Sequence, residues 1–462
     1  MNTICSLVHD NFLNDANTIR ELGKGTYASV YLIQKPNGNQ YAVKYMYNDI
    51  KGITKSSLLD IDAIIRLRNV PDVINAIGIC YQNNHVAFIL EAMDSDLFHF
   101  ISSTPVKNRL RLVNKLLNTL INVTALMETL NITHFDIKPQ NVLVSGTFPN
   151  TNFKVTDFGL SKPIFGQNVI PNEELYTIWY RPPEMLAGRN RSTYPIFAGD
   201  IWAIAVTILE FINGYATFQG GDINAMLFLI YVACRNPSIT QIQFDLANQN
   251  GTITGNIDIK NLVSAKLINQ IDSKIVNMLS RMLTLNPDHR PTGTQLMHEF
   301  NGSINPEFLT TLYPPIYSRR IYIPALEIII KVGTSLFLSK ATILIGIEIL
   351  TRYLDLLNID LSRDPLISTR ALSSLQIAVK FAEQDLFNLD RIKRSYQLIC
   401  GLKCDTTQLV IVEKDILTKI EFKIYNLNLS QVIERAYSNN IDLSRVNLKQ
   451  FAEPLTYWLT EF

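Results

Sequence analysis

The sequence predicts an α+β fold over about the first 312 of its 462 residues and an all-α domain after it. Three observations carry this reading. Strand-like runs flank a glycine turn near the N-terminus, and an apolar stripe of helical spacing runs from Leu110 to Leu130. Then Tyr313-Pro314-Pro315-Ile316-Tyr317 breaks the pattern, and helical periodicity dominates the remainder of the chain. Ile343, Ile347, Leu350, Leu354 and Leu357 keep i, i+4, i+7 spacing, and Leu372, Leu375, Val379 and Ala382 keep it again. That places a helical bundle of roughly 135 residues.

Composition sets the outer bounds. The length leaves room for about three compact units of roughly 150 residues each. Hydrophobic residues make up 47% and the formal net charge is +1, enough to fill a core but no field for direct nucleic-acid binding. Five cysteines (Cys5, Cys80, Cys234, Cys400 and Cys404) are odd in number and scattered, which suits a reducing compartment better than a disulfide framework. Cys400 and Cys404 lack neighbouring His or Cys to complete a metal site, so buried thiols are expected there. The N-terminus shows no basic segment followed by an apolar run. Ile321 to Leu350 is the most apolar stretch, but Glu327, Lys331, Lys340 and Glu348 keep its uncharged runs short of the ~20 residues a spanning helix needs. Two packed soluble helices and no membrane segment are expected there.

Ile19 to Ile33 reads as strand, glycine turn, strand, centred on Leu22-Gly23-Lys24-Gly25-Thr26-Tyr27-Ala28-Ser29-Val30. Glycines let backbone amides approach a phosphate closely, although a plain glycine hairpin explains two glycines equally well. Tyr41-Ala42-Val43-Lys44-Tyr45 is the next strand, with Ala42 and Lys44 on one face. A lysine on an otherwise apolar face needs an anionic partner, unless that face is exposed. Ser56 to Arg68 has helical periodicity, and Asp60 or Asp62 could supply the carboxylate. Downstream, His134-Phe135-Asp136-Ile137-Lys138-Pro139-Gln140-Asn141 is followed by Asp157-Phe158-Gly159. These residue types suit phosphoryl transfer: Asp136 to accept a hydroxyl proton, Lys138 near the transferred phosphate, and Asn141 and Asp157 as Mg²⁺ ligands.

Five such elements in this order resemble a eukaryotic-type protein kinase over residues 17 to about 312. The resemblance implies a two-lobed α+β kinase fold, with an N-lobe of about 17–93, a C-lobe of about 94–312 and residues 1–16 as an extension. It implies ATP and Mg²⁺ as cofactors, with Leu22 to Val30, Ala42 and Lys44 around the nucleotide and Asp60 as the partner of Lys44. In Phe88-Ile89-Leu90-Glu91-Ala92-Met93, Leu90 would be the gatekeeper, and Glu91 and Met93 would meet adenine through their backbones. Asp96 would hold the ribose, and Leu143 would complete the nucleotide site. Glu184 would pair with Arg290, and Asp200 would hold the catalytic-loop backbone. Gly25-Thr26-Tyr27, Lys138-Pro139-Gln140-Asn141 and Trp179-Tyr180-Arg181 are similar to cyclin-dependent kinases. That narrower likeness makes Thr26 and Tyr27 candidate inhibitory phosphosites, and gives Thr177 and Arg181 a place at a Ser/Thr substrate followed by proline.

The departures from the family form a pattern. Phe135 stands where it has arginine, Leu59 replaces another phosphate-binding arginine, and Asn172 takes the place of the activating threonine; Lys162 alone remains of the three cations. Asp60 replaces the family's Glu. An active kinase ordered without phosphorylation is expected, with an inactive scaffold as the alternative. Tyr176 or Thr177 would be the residues to carry a phosphate if that expectation failed, with Glu173 and Glu174 as weak sources of negative charge.

Residues 313–324 read as a linker and 325–462 as a cyclin-like all-α domain. Ile349 to Leu354, Leu375 to Glu383, and Glu413 to Leu417 with Ile420-Glu421-Phe422 resemble successive helices of one cyclin box, with no room for a full second repeat. Lys380 and Glu413 match the pair with which cyclins grip the kinase, though they could be ordinary helix-surface charges. The expected partners are protein substrates with Ser or Thr before Pro, plus an intramolecular cyclin–kinase contact. A bundle that recruits cell-cycle or transcription factors is the other reading. An intracellular location, cytoplasmic or nuclear, is expected, and a virus-encoded origin would suit so compact a fusion.

Overall fold

The computed structural model describes residues 11–25, 28–49, 52–82, 85–163, 175–187, 195–234, 257–300, 322–357, 359–383, 389–401 and 403–424. These fall into two compact units. One gathers the described parts of Met1–Arg66, Ala76–Ala92 and Pro306–Phe462; the other gathers those of Leu67–Asn75 and Met93–Asn305.

In the first unit the chain forms β1 (Asn17–Lys24), β2 (Ala28–Gln34), β3 (Gln40–Met46), β4 (Asn48–Asp49), β5 (Gly52–Ile53), α1 (Lys55–Arg66), β6 (Ala76–Gln82) and β7 (His85–Glu91). Five strands make one antiparallel sheet in the order β1-β2-β3-β7-β6, and β4 with β5 forms a small hairpin. Alternation puts Val43 and Ile89 on one sheet face with Ile33, Cys80 and Ala87, and Leu13 closes that cluster. The end of the 1–16 stretch is therefore part of the lobe: Leu13 is buried, and Lys35 Nζ bonds Phe12 O at 2.7 Å while lying 5.1 Å from the Phe12 ring centroid. Helix α1 begins where Thr54 Oγ1 accepts the Ser57 amide at 3.2 Å, and it buries Leu58, Ile61, Ile64 and Ile65.

The same unit holds helices Ile323–Ser335, Lys340–Asp355, Ile367–Ala382, Leu389–Cys400 and Thr406–Lys419. The first of these starts inside the stretch expected as linker, with Pro324 in its opening turn, where a missing N–H costs nothing. Ile367–Ala382 is the central rod, its Leu372, Leu375, Ile377 and Phe381 all buried. Gly346 brings Lys340–Asp355 close against it, since a Cβ there would stand 3.4 Å from Leu375 Cα. Cys80 is a buried free thiol and Cys234 a half-buried one; Cys400 and Cys404, expected buried, are also only half-buried, because they lie at and just beyond the end of helix Leu389–Cys400. No described helix is long and apolar enough to cross a membrane.

The second unit is mostly helical. Val106–Thr129 packs against Ala198–Asn213, and in the latter every residue from Ala198 to Ile212 is buried. Gly214 at φ +90° ends that helix and donates its amide to Glu210 O at 2.7 Å. Strands Ser95–Asp96, Val142–Ser145 and Asn152–Val155 form a small antiparallel sheet, and the Asp136 motif leads directly into Val142–Ser145. Glu184 and Arg290 meet in a bidentate pair, both bonds 2.7 Å and both side chains fully buried.

Candidate active site

The sheet unit positions the lysine. Antiparallel register sets Val30 opposite Lys44 and Ala42 opposite Leu90, and Ala42 lies two residues from Lys44. Val30, Ala42, Lys44 and Leu90 therefore share one face. Gly23 pairs with Val30 and Lys24 with Ser29, while the Gly25 amide donates to Ala28 O at 2.9 Å to close the turn. Leu22 is exposed, Ala28 and Ser29 are buried, and Thr26 and Tyr27 lie outside the described residues.

Lys44 Nζ bonds Asp60 Oδ2 at 2.6 Å, with the Asp60 side chain 2% exposed. The other sequence candidate, Asp62, is committed elsewhere, paired with Arg66 one turn along the helix. Two residues along a helix is about 200°, so only one of the two aspartates can face the lysine. Asp60's shorter side chain still reaches it. Leu59 is buried in α1, and Glu91 lies across from Tyr41 at the end of β7.

The helical unit holds the rest. Asp136 is 8% exposed and its carboxylate is held from several sides. Thr177 donates to Oδ1 from its amide at 3.1 Å and its hydroxyl at 2.9 Å. Asn141 Nδ2 donates to Oδ2 at 3.0 Å, and Lys138 Nζ lies 2.7 Å from the same oxygen. Lys138 also donates to Thr177 Oγ1 at 2.8 Å. Such a set keeps the carboxylate aimed, as a proton acceptor requires. Met93 begins the longer stretch of this unit, Leu143 pairs with Asp96, and Asp96 caps helix Leu97–Ser103 by accepting the His99 amide at 2.8 Å.

Asp157 sits at φ +62°, a region Asp tolerates better than most residues. The next side chain, Phe158, is fully buried with its ring 4.9 Å from His134. The Thr156 amide donates to Asn141 O at 3.0 Å, which ties the residue before Asp157 to Asn141. Because Asn141 uses Nδ2 on Asp136, its Oδ1 is the atom it can offer a cation. Among the described residues no cluster of three or more His, Cys, Asp or Glu side chains could hold a metal. Two oxygen-bearing side chains suit Mg²⁺, which usually completes its shell with phosphates and water.

Asp200 anchors the loop. Its Oδ2 accepts the His134 amide at 2.8 Å, and its Oδ1 accepts the Phe135 amide at 3.0 Å and the Tyr176 hydroxyl at 2.9 Å. Burial pushes the Asp200 carboxyl up, and the His134, Tyr176 and Phe135 groups around it pull it back. Arg181 donates through Nε to Leu175 O at 2.9 Å and through Nη2 to Tyr176 O at 3.0 Å. Asn172, Glu173 and Glu174 lie outside the described residues. Tyr176 does not suit the role of phosphate acceptor in this conformation: it is 1% exposed and its hydroxyl is bonded to Asp200. No sequence signal marks this tyrosine as an anchor, nor Gly199 beside it.

In the C-terminal helices Lys380 Nζ bonds Glu413 Oε1 at 2.6 Å, and Gln376 Nε2 donates to Glu413 Oε2 at 3.1 Å. Both charged side chains are nearly fully buried, which excludes the reading as ordinary surface charges.

A sheet-bound lysine paired to a helix carboxylate and an Asp–Lys–Asn loop followed by Asp-Phe-Gly define a phosphotransferase of the protein kinase class. Residues 16–300 match the protein kinase domain model, so this chain belongs to the protein kinase family. Residues 315–425 match the model of the cyclin N-terminal domain. Among relatives, cyclin-dependent kinase 1 of Encephalitozoon cuniculi is 27% identical over 289 residues, spanning 61% of this chain and 95% of that protein. In solved structures the fold is similar to a chain of the CAK complex from Chaetomium thermophilum bound to ATP-gamma-S, with TM-score 0.50, 22% identity, and 62% of this chain and 90% of that one covered. It is also similar to a chain of the yeast RNA Pol II CTD kinase CTDK-1 complex, with TM-score 0.51, 22% identity, and 63% and 94% covered. The protein is a cyclin-dependent-type serine/threonine protein kinase that carries a cyclin domain in the same chain.

Proposed function

We propose that this kinase is proline-directed, uses ATP with Mg²⁺, and is activated in cis by its own cyclin-like domain without phosphorylation of its activation segment. Arg181 carries the substrate preference. It occupies the carbonyls of Leu175 and Tyr176, the latter turned by a φ of +63°. A residue following the target hydroxyl finds those acceptors taken, so an ordinary amide N–H would be buried without a partner. Proline has no N–H to leave unsatisfied.

In the reaction Asp136 accepts the proton of the substrate hydroxyl, which Thr177 and Lys138 help to position. Lys44, held by Asp60, pairs with the α- and β-phosphates, and the amides around Gly23 and Gly25 approach them. Asn141 and Asp157 would hold Mg²⁺, which when bound neutralises charge on the phosphates. Activation in cis is supported inside the sheet-bearing unit. The Ile53 amide bonds the buried Glu413 carboxylate, Lys55 Nζ donates to Glu383 O, and the Arg66 guanidinium lies 6.0 Å from the Phe381 ring centroid. These contacts would press α1, and with it Asp60, toward Lys44. An intracellular location suits the free thiols.

The test uses the full chain made in bacteria, treated with phosphatase, and assayed on Ser-Pro and matched Ser-Ala peptides beside Asp136→Asn. Activity should survive the phosphatase, favour Ser-Pro by at least about tenfold, and vanish in Asp136→Asn. Equal rates on both peptides would remove the proline preference. Loss of activity on phosphatase treatment would overturn phosphorylation independence.

A further inference from the structure

Phe135 leaves a gap in the family pattern, since the arginine it replaces would tie the activation segment to the catalytic loop through a phosphate. We infer that Tyr176 does this work as a positioning residue, through a clasp built from Tyr176, Phe135, Gly199 and Asp200. The inference rests on the reading that the segment is ordered without phosphorylation.

Four contacts converge on Tyr176. Its amide donates to Phe135 O at 2.9 Å, its hydroxyl donates to Asp200 Oδ1 at 2.9 Å, and its ring stands edge-on to Phe135, centroids 5.6 Å apart at 80°. Its carbonyl is held by Arg181 at 3.0 Å. Tyr176 and Phe135 both have left-handed backbones, at φ +63° and +64°, which non-glycine residues hold only when their surroundings impose it. Here the two strained residues brace each other, and both donate to the same oxygen of Asp200.

Gly199 makes the clasp possible. A Cβ at that position would overlap the Tyr176 hydroxyl and lie 3.0 Å from Cζ. Any larger residue would expel the ring from its place beside Asp200. An arginine at 135 would bring a charge against the Tyr176 ring, in a spot where Phe135 is 1% exposed. The aromatic pair and the glycine are therefore parts of one device. It fixes Thr177, the next residue, whose amide and hydroxyl both bond Asp136. The clasp thus couples the substrate segment to the proton acceptor, and it needs no modification to form.

The experiment compares phosphatase-treated wild type, Tyr176→Phe, Gly199→Ala and Gly199→Ala/Tyr176→Leu as full chains, reading peptide and ATP kinetics separately with a thermal melt. Tyr176→Phe keeps the ring and loses only the bond to Asp200. It should cut kcat/KM for peptide about tenfold and leave KM for ATP unchanged. Gly199→Ala should lose more, and the double variant should recover part of that loss because the clashing ring is gone. Wild-type peptide kinetics in Tyr176→Phe would overturn the inference. So would no recovery in the double variant, or a fall in Tyr176→Phe matched by equal damage to ATP kinetics. Failure of phosphorylation independence shows separately, as phosphatase loss in the wild type.

Discussion

Substituting Gly52 by alanine isolates the proposed docking of the cyclin-like domain from the chemistry. Gly52 lies in the β5 strand at φ +98°, and an added Cβ would overlap Glu413 Oε2, with Cδ at 3.1 Å and Lys380 Nζ at 3.3 Å. The left-handed backbone alone costs alanine about 1–2 kcal/mol. The clash adds more, since Glu413 can retreat only by breaking its bonds to the Ile53 amide and Lys380, and disrupting a buried pair costs about 3–5 kcal/mol. A tethered partner acts at an effective concentration on the order of millimolar. If the contact has micromolar affinity, the docked form outweighs the undocked by about a thousand to one, or about 4 kcal/mol. The backbone strain is shared by the undocked form, so the clash penalty of about 3–5 kcal/mol is what acts on docking; it offsets most or all of that margin and should move a large share of Gly52→Ala molecules to the undocked form. Peptide phosphorylation at saturating ATP should fall at least several-fold. Gly38 supplies the control: it sits at φ +86° with nothing within 4 Å of an added Cβ, so Gly38→Ala carries the backbone strain without the clash. Equal activity in the two variants would refute the argument.

The Lys44–Asp60 pair and the Glu184–Arg290 pair make two further predictions. Asp60→Asn should lower kcat/KM for ATP by about 10–100-fold in steady-state kinetics, as it removes the Asp60 charge that holds Lys44, whereas Asp62→Asn should act on stability, because Asp62 pairs with Arg66. Glu184→Gln should destabilise the helical unit by about 3–5 kcal/mol, seen as a lower urea midpoint, because it strands a fully buried guanidinium charge.

Much of the site was legible in the sequence, for reasons that differ by residue. Asp136, Asn141 and Asp157 are close along the chain, so the short hairpin of Val142–Ser145 and Asn152–Val155 suffices to bring their segments together. Asp60 and Asp62 could not be separated by spacing to Lys44, yet Arg66 lies four residues beyond Asp62, a helical ion-pair spacing that marks which aspartate is already taken. Tyr176 and Gly199 are far apart in sequence, and their fit depends on the absence of a single Cβ, which no periodicity records. Leu13 falls in a stretch expected as an extension, because so short a segment is too brief to show a period; only the cluster on the sheet reveals what it fills. Gly52 carries no signal of its own, since its closeness to Glu413 depends on packing between segments hundreds of residues apart.

The buried helix Ala198–Asn213 meets the substrate segment at two points: Asp200 takes the Tyr176 hydroxyl near one end, and Glu210 takes the Tyr180 hydroxyl at 2.7 Å near the other. Burial raises the Glu210 carboxyl toward neutrality, and the Tyr180 bond pulls it back. A segment pinned twice to the innermost rod of its lobe has little freedom to fray on its own. Its opening is tied to a helix buried from Ala198 to Ile212, so losing the substrate site and losing the lobe become one cooperative event. Heat would then inactivate this kinase abruptly, without the gradual decline of an enzyme whose recognition loop melts first.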